Sequence, residues 1–365
     1  MKNTKQKVFV GLSGGVDSSV SALLLKQATL DNFEKLFGYQ PPEGFIGYDV
    51  IGVFIKVWQP DFIECTWKED RLDAMRVASM LDIPFITLDL EKEYKEGVID
   101  YMIEEYRNGR TPNPDVMCNR EVKFGACLDW VKKQDKNALF ATGHYAQHDN
   151  KTLIQSNDNN KDQTYFLWAV KKELLPSIIF PVGQLNKSDV RRIAEEAGLP
   201  VATKRDSQGL CFVGTIDVKT LLKQYIDEKR GSVLDEHGEV IGHHSGAMFY
   251  TLGERHGFTI TKKSVSDAPY FVVAKNMDTN TLIVSNIPPQ EDNGNILILE
   301  ATNWVIPIHK GKVYQARGRY RAPLASVEII DDTHIMIVGG NITRTPGQSL
   351  VLYDNERCIG GGIMK

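Results

Sequence analysis

The sequence predicts an α/β chain: a parallel sheet covered by helices in its first half, then a smaller segment and a β-rich remainder. Three observations carry this. Apolar β-branched runs alternate with helically spaced segments through the first half. After about Gly214 the texture changes to strand-like runs divided by Asn, Gly, Asp and Pro clusters. A length of 365 residues also exceeds what one core usually organises, so two or three domains are expected. The composition, 42% hydrophobic and 25% charged with a net charge of −4, excludes disordered and collagenous chains. Apolar runs fall far short of the ~18 residues a bilayer needs, and Met1–Lys7 lead into a strand without a signal-like apolar core, so a cytoplasmic protein is expected.

Taken in order, strands are expected near Val8–Leu12, Val50–Val57, Pro84–Leu88 and Ala138–Thr142. Leu72, Met75, Val77, Ala78 and Leu81 recur at helical spacing behind Glu69 and Asp70, whose charge suits a helix N-terminus. Residues 28–48, with two prolines and three glycines, read as an inserted loop. A helix over Ser188–Ala197 should stop at Gly198, with Pro200 beyond it. A short helix is expected around Val218–Glu228, a hairpin turn at Asp235–Gly238, and strands from Tyr270 to Lys365. Within that last stretch, residues 301–327 carry Lys310, Lys312, Arg317, Arg319 and Arg321, interleaved with Trp304, Tyr314 and Tyr320 and without any acidic residue. Such a segment reads either as a nucleic-acid contact face or as a solvated strand edge guarded by cations.

Gly11, Leu12, Ser13, Gly14, Gly15, Val16, Asp17 and Ser18 follow the first strand and open a helix with Val20, Leu23 and Leu24 on its apolar face. Glycines there bring backbone N–H groups close to phosphate oxygens at a helix N-terminus, and Ser13, Ser18 and Ser19 add hydroxyls. The loop lacks the Lys-Ser/Thr pair of the Walker A sequence and has Asp17 instead, a carboxylate suited to Mg²⁺ on pyrophosphate. It resembles the ATP pyrophosphatases, which cleave ATP between the α and β phosphates and transfer AMP to a substrate oxygen.

Five widely spaced cysteines, with no C-x-x-C pair, fit neither a disulfide framework nor a zinc site. Two stand in glycine- or proline-bounded basic segments. Cys118, after Pro112 and Pro114 and beside Arg120 and Lys123, is expected near a helix N-terminus, where a thiolate is favoured. Asp115, three residues earlier, is a candidate acid or base. Cys211 lies between Gly209 and Gly214, downstream of Lys204 and Arg205. Cys65, Cys127 and Cys358 read as structural or incidental.

The chain resembles the tRNA-specific 2-thiouridylase family over nearly its whole length. The match runs through the phosphate loop, Asn-Pro-Asp-x-x-Cys-Asn at 113–119, Ala-Thr-Gly-His-Tyr at 141–145, Lys-Asp-Gln-x-Tyr-Phe-Leu at 161–167 and Gly-x-Cys-Phe-x-Gly at 209–214. It continues through Tyr250–Gly253, Arg319–Arg321, Pro346–Gln348 and the closing Gly360–Ile363. Two positions depart from the family pattern: Ile55-Lys-Val-Trp58 stands where Met-Lys-Asn-Trp is common, and Glu254 where Gln is usual.

The resemblance implies a Rossmann-like ATP pyrophosphatase domain over 1–214, a small central domain over 215–275 and a tRNA-contacting C-terminal β-barrel over 276–365. It assigns ATP to Gly11–Ser18, Ile55 and Gly143, and the target base to Asn113, Pro114 and Asp115. Catalysis falls to Cys118 as nucleophile and Cys211 as persulfide carrier, with Asp115. The tRNA contacts are His144, Lys161, Asp162, Gln163, Arg319, Tyr320 and Gln348. It further implies 2-thiolation of the wobble uridine in the anticodon loop of Lys, Glu or Gln acceptors, with ATP and Mg²⁺. A persulfide donor protein, either a cysteine desulfurase or a sulfur relay carrier, and a Cys118–Cys211 disulfide after turnover complete the implied reaction. From the residues alone, Asp162 also suits a helix cap, His144 a satisfied loop histidine and Lys161 a solvated charge. A small-molecule synthetase using the same loop and a non-catalytic RNA-binding module are the rival functions; neither requires both cysteines.

Overall fold

Strand β1 (Gln6–Gly11) buries Val8, Phe9 and Val10 and pairs in parallel on both sides. On one side lies β2 (Tyr48–Lys56), which pairs in turn with β3 (Phe85–Asp89). On the other lies β4 (Leu139–Ala141), followed by the short strand Ile178–Ile179. The spatial order β3-β2-β1-β4-(178–179) reverses direction between β1 and β4. In an open parallel sheet, that reversal opens a crevice at the carboxyl ends of the two strands. The computed structural model describes residues 5–62, 67–206, 218–261, 268–288 and 296–365. The chain divides into two compact units: residues 1–98, 115–215 and 354–360, and residues 99–114, 216–353 and 361–365.

In the first unit, helix α1 (Val16–Gln27) is buried nearly all round, packed against β2 and the helix Lys187–Glu196. Three serines therefore enter the core, and Ser18, Ser19 and Ser21 return their hydroxyls to the carbonyls of Gly15, Gly15 and Asp17. Such back-bonding lets a polar side chain be buried without an orphaned group. The segment expected as a loop over 28–48 consists of turns and irregular chain as far as β2, apart from one short helix, α2 (Phe33–Phe37). Gly38 ends it at φ +73°, and Phe33, Phe37, Tyr39, Phe45 and Tyr48 form one aromatic cluster, with Phe33 and Phe45 centroids 4.7 Å apart. The glycines and prolines all follow the C-terminal end of α2; the aromatic residues hold it.

Helix α3 (Trp67–Met80) forms where expected, but its buried stripe is Ala74, Val77 and Ala78, continued by Leu81 just beyond. Leu72 and Met75 remain 48% and 38% exposed, because they lie on the flank turned away from that stripe. The helix Lys187–Glu196 ends near Gly198 at φ +65°, as its sequence indicates. A hairpin, Ala146–His148 with Leu153–Gln155, was not evident in the sequence; Arg357 and Cys358 extend it.

The second unit holds two β-systems. A five-stranded sheet runs Thr259–Ile260, Val240–His244, Gly231–Leu234, Thr281–Ser285, Phe271–Asn276. The Asp235–Gly238 turn closes its first hairpin, with Gly238 at φ +81° and Asp235 N–H donating to the Glu239 carbonyl at 3.0 Å. The helix expected to reach Glu228 ends at Leu222 among the described residues. Residue 275, the expected domain limit, lies inside the hairpin formed by Phe271–Asn276 and Thr281–Ser285. The second system comprises six strands, Ile296–Trp304, Val313–Arg317, Ala325–Ile329, His334–Gly339, Ser349–Asp354 and Arg357–Met364, closed by pairing of the first and last. Gly362 permits tight pairing there, since a Cβ would stand 2.9 Å from the Leu299 and Thr302 side chains of the first strand.

Phe33 is fully buried at the centre of the aromatic cluster, whereas Tyr39 is 46% exposed at its rim. Phe33→Ala should cost about 3–5 kcal/mol. Tyr39→Ala should cost less than half of that, both read from the midpoint of urea unfolding.

Candidate active site

The glycine-rich loop leaves β1 and enters α1 at the crevice where the sheet order reverses. Gly14 adopts φ +74°, and a Cβ there would lie 2.3 Å from the Asp70 carbonyl oxygen, so the residue satisfies both a backbone and a packing constraint. Ser18 Oγ accepts from Ser13 N–H at 3.2 Å and lies 3.2 Å from Ser13 Oγ, fixing the loop's curvature. Gly143 follows β4 and lies against this turn: its Cβ would stand 2.7 Å from Ser18 N. The predicted loop residues and Gly143 thus meet in one crevice. Ile55 is buried in β2, in register with Leu88.

Asp17 points its Oδ1 at two donors, Tyr145 Oη at 2.8 Å and Lys187 Nζ at 2.6 Å. Lys187 also reaches Asp206 at 2.8 Å, and Asp206 receives Lys161 and Arg191, each at 2.7 Å. Burial works against the Asp206 carboxylate, yet its bonds to Lys161 and Lys187 hold it down at about 2. Gln163 accepts the Tyr145 N–H through Oε1 at 2.9 Å, while its own N–H donates to the Tyr145 carbonyl at 2.8 Å. The RNA-contact candidates Lys161 and Gln163 therefore adjoin the groups around Asp17.

Sequence reasoning missed Tyr145, Lys187, Arg191 and Asp206. Lys187 left a signal: a cation in the first turn of a helix opposes the helix dipole and calls for an anionic partner. Lys204, read as a cation near Cys211, is instead bound to Asp70 and Asp73, each at 2.8 Å.

His144 is buried, with Nδ1 2.8 Å from Thr142 Oγ1 and Nε2 3.4 Å from Lys123 Nζ. An ammonium can only donate, so Nε2 accepts and Nδ1 carries the proton. Burial, then the Lys123 charge, holds the imidazole well below its ordinary range, leaving it neutral at pH 7. Asp162 is also buried; it accepts from Ser156 N–H at 3.1 Å and Thr164 Oγ1 at 2.8 Å, and burial raises its carboxyl.

Pro114 opens a helix instead of breaking one, as suits a residue whose missing N–H falls in the first turn. The helix runs Pro114–Met117, passes into wider π-helical turns over Cys118–Cys127, and ends as Leu128–Gln134. Cys118 therefore lies one turn from the helix N-terminus, near the end where it was expected, and is fully buried. Arg120, expected beside the thiol, bonds Glu121 at 2.6 Å. Asn119 Nδ2 donates to the Phe166 carbonyl at 3.1 Å, while its buried Oδ1 has no hydrogen-bond partner. Cys211 and Cys65 lie outside the described residues.

In the second unit, Gln348 Nε2 donates to the carbonyls of Thr111 at 2.8 Å and Pro112 at 3.2 Å, fixing the backbone ahead of Asn113. Arg319 Nη2 donates to the Leu252 carbonyl and Thr345 Oγ1, each at 3.0 Å. The basic segment forms no single aromatic face: Tyr314 is buried in the barrel, whereas Lys310 and Arg321 are exposed. The Arg321 guanidinium stands 5.0 Å from the Tyr320 ring centroid.

A parallel sheet with a phosphate loop at its switch point defines a nucleotide-binding HUP domain, and residues 6–37 and 45–215 match the family model described as tRNA methyl transferase HUP domain. Residues 219–286 match the tRNA methyl transferase PRC-barrel domain and 295–364 the aminomethyltransferase beta-barrel domain. The chain belongs to the tRNA-specific 2-thiouridylase family. It is 41% identical over 376 residues to the tRNA-specific 2-thiouridylase MnmA of Streptococcus thermophilus LMD-9, covering 99% of this chain and 96% of the relative. The protein of that name from Ligilactobacillus salivarius is 42% identical over 381 residues, with 100% and 96% covered. That from Nitrosomonas eutropha is 40% identical over 377 residues, with 99% and 98% covered.

A methyl group at Gly143 must displace the Asp17–Ser18 backbone. Gly143→Ala should therefore weaken ATP binding at least tenfold in equilibrium dialysis while the circular dichroism spectrum is retained. Burial pushes the Cys127 thiol up and the Cys358 thiol up to about 12. Both should resist iodoacetamide at pH 8 in the native protein and react in urea, as peptide mass mapping will show.

Proposed function

We propose that this enzyme catalyses ATP-dependent 2-thiolation of the wobble uridine of tRNA, by adenylating the C2 oxygen and transferring sulfur from a persulfide on Cys211. The observation that carries this reading is the phosphate loop and the buried Cys118 in one compact unit, in a chain whose full-length relatives bear the 2-thiouridylase name. Residues 1–214 supply the activation chemistry. Residues 215–275 and 276–365 supply the central and RNA-contacting parts, with Thr281–Ser285 completing the central sheet.

A uracil C2 carbonyl resists substitution because its oxygen leaves poorly. Uridine O2 attacks the α-phosphorus of ATP, pyrophosphate departs, and the adenylated oxygen becomes a leaving group. The α1 N-terminus and the Ser13 and Ser18 hydroxyls bind phosphate oxygens. Asp17 fits a magnesium ion carried on pyrophosphate, because it is a first-turn carboxylate facing the loop and such an ion needs only one or two protein carboxylates beside phosphate and water. When bound, that ion would neutralise the departing pyrophosphate.

Sulfur then bonds to C2 as the C2–O bond breaks and AMP carries the oxygen away. The sulfur is the outer atom of the Cys211 persulfide. It attacks C2 directly, after which the Cys118 thiolate attacks the inner sulfur and displaces the 2-thiouridine, or it first leaves as hydrosulfide when Cys118 attacks that inner sulfur and then attacks C2. Either order forms one Cys118–Cys211 disulfide, which a dithiol reductant reopens with two electrons. Asp115 serves as acid or base, and Asn113 and Pro114 position the base beside it. An anticodon-loop base is the least costly to extrude into such a site. His144, Lys161, Asp162 and Gln163 serve the tRNA in the first unit, and Arg319, Tyr320 and Gln348 in the second. Neutral His144 adds no charge there; its ring nitrogens face Thr142 and Lys123, so it acts by positioning Lys123.

The acceptors are tRNAs for Lys, Glu and Gln, and the sulfur arrives from a cysteine desulfurase or relay carrier in the cytoplasm. Among the described residues no helix is long and apolar enough to cross a membrane.

Mass spectrometry of anticodon nucleosides after incubation with ATP, Mg²⁺ and a persulfide donor should show 2-thiouridine at the wobble position. Cys211→Ser should abolish sulfur loading, read from intact-protein mass. Cys118→Ser should load sulfur and form AMP yet give no multiple-turnover product, whereas Cys127→Ser should retain thiolation. Normal turnover by Cys118→Ser would remove the assigned nucleophile.

A further inference from the structure

Lys187 sits between two carboxylates, 2.6 Å from Asp17 and 2.8 Å from Asp206. Its side chain is only 14% exposed, so in this arrangement both partners hold it away from solvent. Asp17 thus spends one oxygen on an ammonium group at the position where a metal ion on the nucleotide would draw on the same carboxylate. Asp206 is crowded with cations: Lys161 on Oδ2, and Lys187 and Arg191 on Oδ1. Lys161 is 31% exposed and is the one of the three that the proposed function places against RNA. Arg191 is fixed independently by the carbonyls of Ala202 and Lys204, at 3.0 and 2.9 Å.

We infer that Asp206 and Lys187 are positioning residues that couple RNA occupancy to the nucleotide site. An RNA phosphate draws Lys161 off Asp206, Asp206 then holds the ammonium of Lys187 that it already shares with Asp17, and Asp17 is released to the Mg²⁺–pyrophosphate of ATP. The direction follows from charge. While Lys161 neutralises Asp206 and repels the neighbouring ammonium, Lys187 is best placed on Asp17. Once Lys161 turns to a phosphate, Asp206 is the stronger anion. No covalent bond is made or broken; an ammonium shared by two carboxylates passes to one of them. By linkage, Mg²⁺·ATP must tighten RNA binding by the factor with which RNA tightens Mg²⁺·ATP, and such couplings typically amount to roughly 5–150-fold. The device discourages consumption of ATP before a tRNA is seated. The inference rests on the proposed RNA contact of Lys161, and the experiment separates the two.

Dissociation constants for Mg²⁺ with a non-hydrolysable ATP analogue are to be measured by calorimetry, with and without an unmodified tRNA transcript, on full-length protein. Wild type should bind the analogue at least fivefold more tightly with RNA. Lys187→Met and Asp206→Asn should both bring that ratio to within twofold of unity, but from opposite baselines. Lys187→Met frees Asp17 of its ammonium partner, leaving only the neutral Tyr145 hydroxyl on Oδ1, and binds tightly without RNA; Asp206→Asn leaves Lys187 on Asp17 and binds weakly with RNA. Thermal unfolding checks that each variant is folded, and the opposed baselines cannot arise from a shared loss of structure. Weaker RNA-free binding by Lys187→Met would place Lys187 on the phosphates themselves and overturn the inference, as would a wild-type ratio retained in either variant. Lys161→Met tests the underlying reading: unchanged RNA affinity would remove the RNA contact. Lost RNA affinity with RNA-dependent ATP tightening still present in Lys187→Met would leave that contact standing and remove the coupling.

Discussion

The first unit depends on how closely two backbones can approach at the switch point of its sheet. The turn after β4 lies flush against the start of α1, near enough that a side chain at Gly143 would collide with Ser18 N. Parallel pairing of β1 with β4 fixes that approach, because Val8, Phe9 and Val10 are in register with Leu139, Phe140 and Ala141. The two loops leaving those strands have no alternative but to meet. Glycines at positions 14 and 143 let them do so while keeping N–H groups available to a phosphate.

Charge around this crevice is arranged as a chain rather than a set of separate pairs. Asp17, Lys187, Asp206 and Lys161 are linked in sequence, with Tyr145 and Arg191 bracing the two carboxylates. A linear chain of partly buried ion pairs is responsive, since removing one end shifts the partner preference of the next group. Isolated surface pairs such as Arg192–Glu196 have no such consequence. All three described thiols are buried; burial pushes those of Cys127 and Cys358 up, and Cys118 and Cys127 lie at opposite ends of one π-helical segment that begins one turn after Pro114.

Much of this was legible in the sequence because it is local. The phosphate loop, the helix ended by Gly198 and the Asp235–Gly238 turn each depend on residues within one or two turns of one another, so spacing and turn chemistry suffice. Where pattern reading erred, a long-range partner decided the outcome. Prolines and glycines marked 28–48 as a loop, which most of it is, but gave no sign of the short helix Phe33–Phe37 and the packing of Phe33, Phe45 and Tyr48 that orders it. Tyr314 looked like part of an exposed aromatic face, but strand alternation turns it into the barrel.

By itself the sequence determined the chemistry that short motifs can hold: a nucleotide loop with a carboxylate, two cysteines in distinctive segments and an α/β half followed by a β-rich half. Only the tertiary structure decided which distant charges share that site. Lys187 lies 170 residues from Asp17 in the chain, and Lys161 lies 45 from Asp206. No periodicity encodes such pairs. A parallel sheet brings its loops together through crossovers of arbitrary length, so neighbours at the crevice are set by strand order, not by spacing along the chain.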